Sequence, residues 1–121
     1  MANYVGFLRG GDAAYAKISP TEAQRALERY LAWDAELAAA GNPVGGGGLS
    51  RSAGRVLGTR VSGSAGAITD GPYTEGSEVV GGVLTIEAAD LDEAEKIFST
   101  HPHLDFGIIE VRKLGEQGCE D

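Results

Sequence analysis

Hydrophobic positions change period several times along the chain, and each change marks an element. Tyr4-Val5-Gly6-Phe7-Leu8 is a short β-prone run closed by Arg9-Gly10-Gly11-Asp12, which predicts a first strand over Asn3 to Leu8. Beyond Ser19 the period becomes helical. Ala26, Tyr30, Trp33, Leu37 and Ala40 form one stripe, while Arg25, Glu28, Arg29 and Glu36 fall off it toward water. Ser19-Pro20-Thr21-Glu22 supplies a capping box with proline in the first turn, and Gly41-Asn42-Pro43 stops the helix near Ala40. Gly45-Gly46-Gly47-Gly48 then opens a flexible stretch ending near Gly54. Strands are predicted at Arg55–Val61 and Ala65–Thr69, joined at Ser62-Gly63-Ser64, before Asp70-Gly71-Pro72 reverses the chain.

Val79 to Ala88 reads as a central strand, with Gly81 and Gly82 marking a bulge or a close neighbour. Asp90-Leu91-Asp92-Glu93 repeats the capping logic for a second helix whose inner face is Leu91, Ala94, Ile97 and Phe98. Thr100-His101-Pro102 ends it, and Phe106 to Leu114 is the last strand. The order predicts an α+β class, a ferredoxin-like βαββ(β)αβ unit with both helices on one face of an antiparallel sheet. The domain runs over 1–114, and 115–121 is expected to be a disordered acidic tail. Leu84, Ile86, Ile109 and Val111 suit the helix-covered face. The opposite face mixes Val83, Thr85, Ile108, Glu110 and Arg112, neither core nor ordinary surface, so a second copy is expected to pack there as a homodimer.

Composition narrows the partners. The 121 residues suit one domain, and 18 acidic against 10 basic residues leave a net charge of −8. That balance argues against nucleic acid and anionic membranes. The start of the chain carries no basic, apolar leader, and no run is long enough to span a bilayer. A single cysteine, Cys119, cannot form an internal disulfide, so a reducing, cytoplasmic location is expected. No phosphate loop follows the glycine run, no Gly-x-Ser-x-Gly elbow is present, and neither a cofactor nor a metal is expected.

The run Asp70-Gly71-Pro72-Tyr73-Thr74-Glu75 is followed by Gly81-Gly82, then by Ile86-Glu87-Ala88-Ala89-Asp90-Leu91-Asp92-Glu93-Ala94, and the chain closes with Gly107-Ile108-Ile109-Glu110-Val111-Arg112. In this order the segments resemble the YCII-related family, in its branch named for an Asp-Gly-Pro-Phe (DGPF) motif, with Tyr73 in place of the phenylalanine. The resemblance implies a dimeric α+β barrel in which two ferredoxin-like units pack sheet to sheet. It also implies kinship with muconolactone isomerases, chloromuconolactone dehalogenases and small monooxygenases, and genes linked with alternative sigma factors. A histidine in the first helix and an aspartate before a proline after the second form the family's suggested catalytic pair. Here those positions hold Tyr30 and His101, so that pair does not carry over.

Among residues suited to chemistry, Asp70 is a candidate base or polar anchor, or else the acceptor of an Asx-turn. His101 and His103 are candidates for acid–base work, with helix termination as their plainer role. Asp34 falls between Leu27 and Leu31 on the helical wheel, where partial burial raises a carboxylate's pKa. Tyr30 and Trp33 either fill the core or wall a small-molecule pocket, and Arg112 either binds substrate or pairs with Glu110. The functional expectation is a homodimeric small-molecule binder. Its alternatives are an acid–base enzyme (isomerase, lyase or cofactor-free oxygenase) acting on a small organic ring, and a protein-binding partner in sigma-factor-linked regulation.

Overall fold

Strand β1 (Ala2–Arg9) lies inside a four-stranded antiparallel sheet of order β2-β5-β1-β6, whose other members are β2 (Gly45–Gly48), β5 (Val80–Ala88) and β6 (Ile108–Lys113). The structure, a computed structural model, describes residues 1–60, 62–63, 66–71 and 79–121. Among the described residues three α-helices complete the unit: α1 (Asp12–Tyr15), α2 (Pro20–Ala39) and α3 (Leu91–Phe98). A 3-10 turn at Pro102–Asp105 leads from α3 into β6. The α+β, ferredoxin-like expectation holds. No helix among the described residues is long and apolar enough to cross a membrane.

Local signals account for both long helices. The Ser19 hydroxyl accepts from the Glu22 N–H at 3.1 Å, and the Glu22 carboxylate accepts from the Ser19 N–H, so the capping box closes in both directions. At the start of α3 the Asp90 carboxylate accepts from the Glu93 N–H at 2.8 Å. Both helices bury one side against the same sheet face. Tyr4, Leu8, Leu84, Ile86 and Ala88 of the sheet meet Trp33, Ala94 and Phe98 of the helices, all buried. Phe98 packs against Gly6, where an added Cβ would stand 2.6 Å from the ring. Leu27 and Leu31 of α2 remain exposed, as does Ala40 at the end of the expected stripe.

The middle of the chain departs from expectation. The glycine run is a strand of the main sheet, with Gly45 opposite Thr85 and Gly48 opposite Gly82. At Gly46, φ is +81° and an added Cβ would collide with the Val83 carbonyl oxygen, so only glycine gives this edge its path. The strands predicted at Arg55–Val61 and Ala65–Thr69 are seen as β3 (Arg55–Leu57) and β4 (Ile68–Asp70), which pair in a separate two-stranded sheet. Ser62 and Gly63 of the expected turn are described, whereas Val61, Ser64, Ala65 and the motif from Pro72 to Glu75 lie outside the described residues. Asn42 ties the end of α2 to the sheet. Its amide donates to the Glu87 carbonyl at 2.8 Å and its carbonyl accepts from the Glu87 N–H at 3.1 Å, which reproduces a strand's pair of bonds.

The second sheet face carries Val5 and Phe7 of β1, opposite Thr85 and Val83 on one side and Arg112 and Glu110 on the other. Within the chain Glu110 pairs with Arg9 at 2.8 Å.

Candidate functional site

Where β1 ends, Gly10 and Gly11 turn the chain into α1, and a cleft of about 340 Å³ opens between this turn, α2 and the 3-10 turn. Gly11 has φ +85°, and an added Cβ would stand 3.1 Å from Phe106 Cβ and 3.3 Å from His103 Cε1. Glycine therefore lets the 3-10 turn close on β1. Leu8, Tyr15 and Phe106 give the cleft an apolar wall. The Tyr15 and Phe106 rings meet edge to face at 5.4 Å, and the Tyr15 hydroxyl is tethered to the Ala23 carbonyl of α2 at 3.3 Å. Tyr30, His103 and an ion pair between Asp12 and Arg51 supply the polar lining.

A chain of hydrogen bonds orders the histidines. His103 Nε2 lies 3.0 Å from the Arg9 carbonyl oxygen, and a carbonyl only accepts, so Nε2 carries the hydrogen. In that tautomer of the neutral ring Nδ1 is an acceptor, and the Tyr30 hydroxyl donates to it at 3.1 Å. Gly107 makes room for this arrangement, because a Cβ there would meet the Arg9 carbonyl and stand 2.9 Å from His103 Nε2. The His103 backbone N–H donates to His101 Nδ1 at 2.9 Å, which leaves His101 with its hydrogen on Nε2.

Burial disfavours the charged forms of His101 and Tyr30. Burial, reinforced by the neighbouring His103, pulls the His101 pKa down to about 4. Protonation would also place a hydrogen on Nδ1, which already accepts one. Burial, followed by the nearby Tyr15 phenol, pushes Tyr30 up to about 12, so its hydroxyl keeps its proton at neutral pH. The Tyr30 ring packs edge-on to His101 at 5.0 Å, and His101 packs on Trp33 at 4.6 Å. Trp33 in turn stacks on Phe98 at 5.9 Å and donates its indole N–H to Thr100 Oγ1 at 2.8 Å. An ion pair between Arg29 and Asp105 holds α2 to the 3-10 turn from outside.

The residues singled out in the sequence divide into two groups. Tyr30 and His103 line the cleft, with His101 and Trp33 buried behind them. Asp34 lies on α2 outside the cleft lining, half-buried, its carboxyl raised by that burial. Asp70 ends β4, its side chain 94% exposed and 3.5 Å from Arg55, and it is not part of the cleft lining. Arg112 is exposed and lines a different hollow, with Val5 and Phe7. Three lining groups escaped sequence reading: Tyr15, Phe106 and the Asp12–Arg51 pair. Gly10-Gly11-Asp12 reads as a strand end, Arg51 as part of a flexible stretch, and Phe106 as the start of a strand that in fact begins at Ile108. The one usable signal was Gly-Gly before an acid, which marks a special backbone turn. Among the described residues no group of His, Cys, Asp or Glu gathers to hold a metal ion.

The family model of the YCII-related domain matches residues 4–116. The chain belongs to the YCII-related family. No curated protein matches it. In this YCII-related chain the two positions at which the sequence resemblance set a histidine and an aspartate hold Tyr30 and His101, and the fold brings them into ring contact. The match ends inside the closing segment, so it also covers α1, the 3-10 turn and every cleft-lining residue named above.

Proposed function

We propose that this YCII-related protein binds a small organic molecule in the cleft walled by Tyr15, Tyr30, His103 and Phe106. The observation that carries the reading is the state of the polar groups on that wall. His103 Nε2–H is spent on the Arg9 carbonyl, and Nδ1 is spent on Tyr30, whose phenol is held well above its ordinary pKa. A base needs a free nitrogen or an ionisable oxygen facing its substrate. These groups instead form a satisfied, rigid polar floor beside an aromatic wall, the usual make-up of a small-molecule site. Titrating the 15N-labelled protein with phenol, benzamide and benzoate tests it. Amide shifts are expected at Gly10, Gly11, Tyr15, His103 and Phe106, and the absence of shifts there with all three compounds overturns the reading.

The binding unit is a homodimer in this reading. Support comes from the sheet face away from the helices, where Phe7 and Val83 are half-buried and Ile108 is half exposed. Sedimentation velocity is expected to give twice the chain mass, and Ile108→Glu to give a folded monomer. A wild-type monomer at high concentration removes the dimer from the reading.

A further inference from the structure

The main sheet ends in β2 on one side and β6 on the other, and the two edges differ. β2 is blunted, since φ is +81° at Gly46 and +157° at Gly47, which breaks the regular row of backbone groups that another strand needs. β6 has neither a bulge nor a proline, and its register with β1 runs unbroken from Ile108 to Lys113. Just beyond it the Leu114 N–H donates to the Asn3 carbonyl at 2.9 Å. Bonding pairs alternate along an antiparallel ladder, so Ile108, Glu110 and Arg112 also turn their backbone groups to β1. Ile109, Val111 and Lys113 turn theirs outward, and among the described residues no backbone bond meets them there, from 115–121 or elsewhere.

This open edge is complementary to itself in one register. With Val111 on a two-fold axis, an antiparallel β6 of a second copy sets Val111 opposite Val111 and Ile109 opposite Lys113. The outward N–H and C=O groups then meet as hydrogen-bonded pairs. Glu110 stands opposite Arg112 in the closer, non-bonded pairs, and Ile108 opposite Leu114, both about half exposed. A slip to the next bonding register on either side sets Glu110 against Glu110 or Arg112 against Arg112, and like charges directly opposite are destabilising. Arg112 is exposed and has no ion pair among the described residues, while Glu110 Oε1 accepts from Arg9 and leaves Oε2 for a second cation. We propose that β6 pairs edge to edge with β6 of a second copy, Val111 on the axis, joining the two sheets into one. This rests on the homodimer reading, and it adds the contact and its register.

Amide hydrogen exchange of the full chain, read residue by residue above and below the concentration of half-association, separates this contact from the homodimer itself. Where sedimentation gives twice the chain mass, the N–H groups of Ile109, Val111 and Lys113 are expected to exchange on the order of a hundredfold more slowly than in the dilute monomer. Ile108, Glu110 and Arg112, already bonded to β1, should change less. Arg112→Glu replaces each opposite-charge pair with a like-charge one at an exposed position, and it is expected to weaken the dimer roughly tenfold. The urea midpoint of the dilute monomer should not move in that variant. A dimer whose three outward amides exchange as fast as in the monomer, or one that Arg112→Glu leaves equally tight, overturns the edge contact and leaves the homodimer standing. A wild type that stays monomeric at high concentration removes both.

Discussion

The Tyr30 hydroxyl, on the third turn of α2, donates to Nδ1 of His103 across 73 residues of chain at 3.1 Å. His103 is 7% exposed, so the nitrogen has little access to water as a substitute partner. Tyr30→Phe keeps the ring packed on His101 and removes only the donor. Leaving a buried acceptor unpaired costs about 1–3 kcal/mol, and the urea midpoint should fall accordingly. Unchanged stability in this variant would mean that water replaces the phenol. Imidazole 15N shifts provide the second readout, with Nδ1 of His103 moving toward the value of a free acceptor.

Acid should weaken the fold through His101. In the unfolded chain its ring has the ordinary pKa of 6.5, and in the folded protein it titrates at about 4. Below pH 6.5 the unfolded state therefore binds a proton that the folded state refuses until about pH 4. Stability is present above pH 6.5 and declines as pH falls toward 4, by about 3 kcal/mol in all. Urea unfolding across that window, compared between the wild type and His101→Asn, isolates the contribution. Asparagine can still accept from the His103 N–H but does not titrate, so its pH slope should be shallower.

Two glycines are expected to resist alanine for different reasons. At Gly107 a methyl group would part the Arg9 carbonyl from His103 Nε2, which loosens the cleft floor as well as the fold. At Gly6 it would strike the ring of Phe98, a buried core residue that is not part of the cleft lining. Overpacking of this kind costs about 1–3 kcal/mol in each variant. Only Gly107→Ala should also change the His103 imidazole signals, and equal effects of both variants on those signals would count against the hydrogen bond.

Asn42 closes the sheet edge by exchanging two hydrogen bonds with the Glu87 backbone. Asn42→Asp keeps the acceptor, loses the donor and sets a carboxylate against a carbonyl. A loss of about 1–2 kcal/mol is expected, with faster amide exchange at Glu87. No change in exchange at Glu87 would show that β2 holds this edge without help.

The two longer helices, their starts and the core face of the sheet were legible in the chain because their causes are local, whereas the short helix α1 was not read. Ser19 finds Glu22 three residues away, and Leu84 and Ile86 differ from Thr85 by strand alternation alone. The glycine strand was not legible, since four residues without side chains carry no pattern and pair through backbone supplied by β5. Nor was the cleft, although two of its lining residues, Tyr30 and His103, were in view. Tyr30, His101 and His103 stand out by residue type, and it took the crossing of α2 over the 3-10 turn to join them. Asp70 was conspicuous because it opens a turn motif, yet the small β3–β4 sheet holds it in solvent beside Arg55. Arg51 and Asp12 were unremarkable as residues and became a pair only in space. Sequence determines what is decided within a turn of helix or a few strand residues. Tertiary packing decides which polar groups are left with a hydrogen to offer, because every such count depends on a partner from elsewhere in the chain.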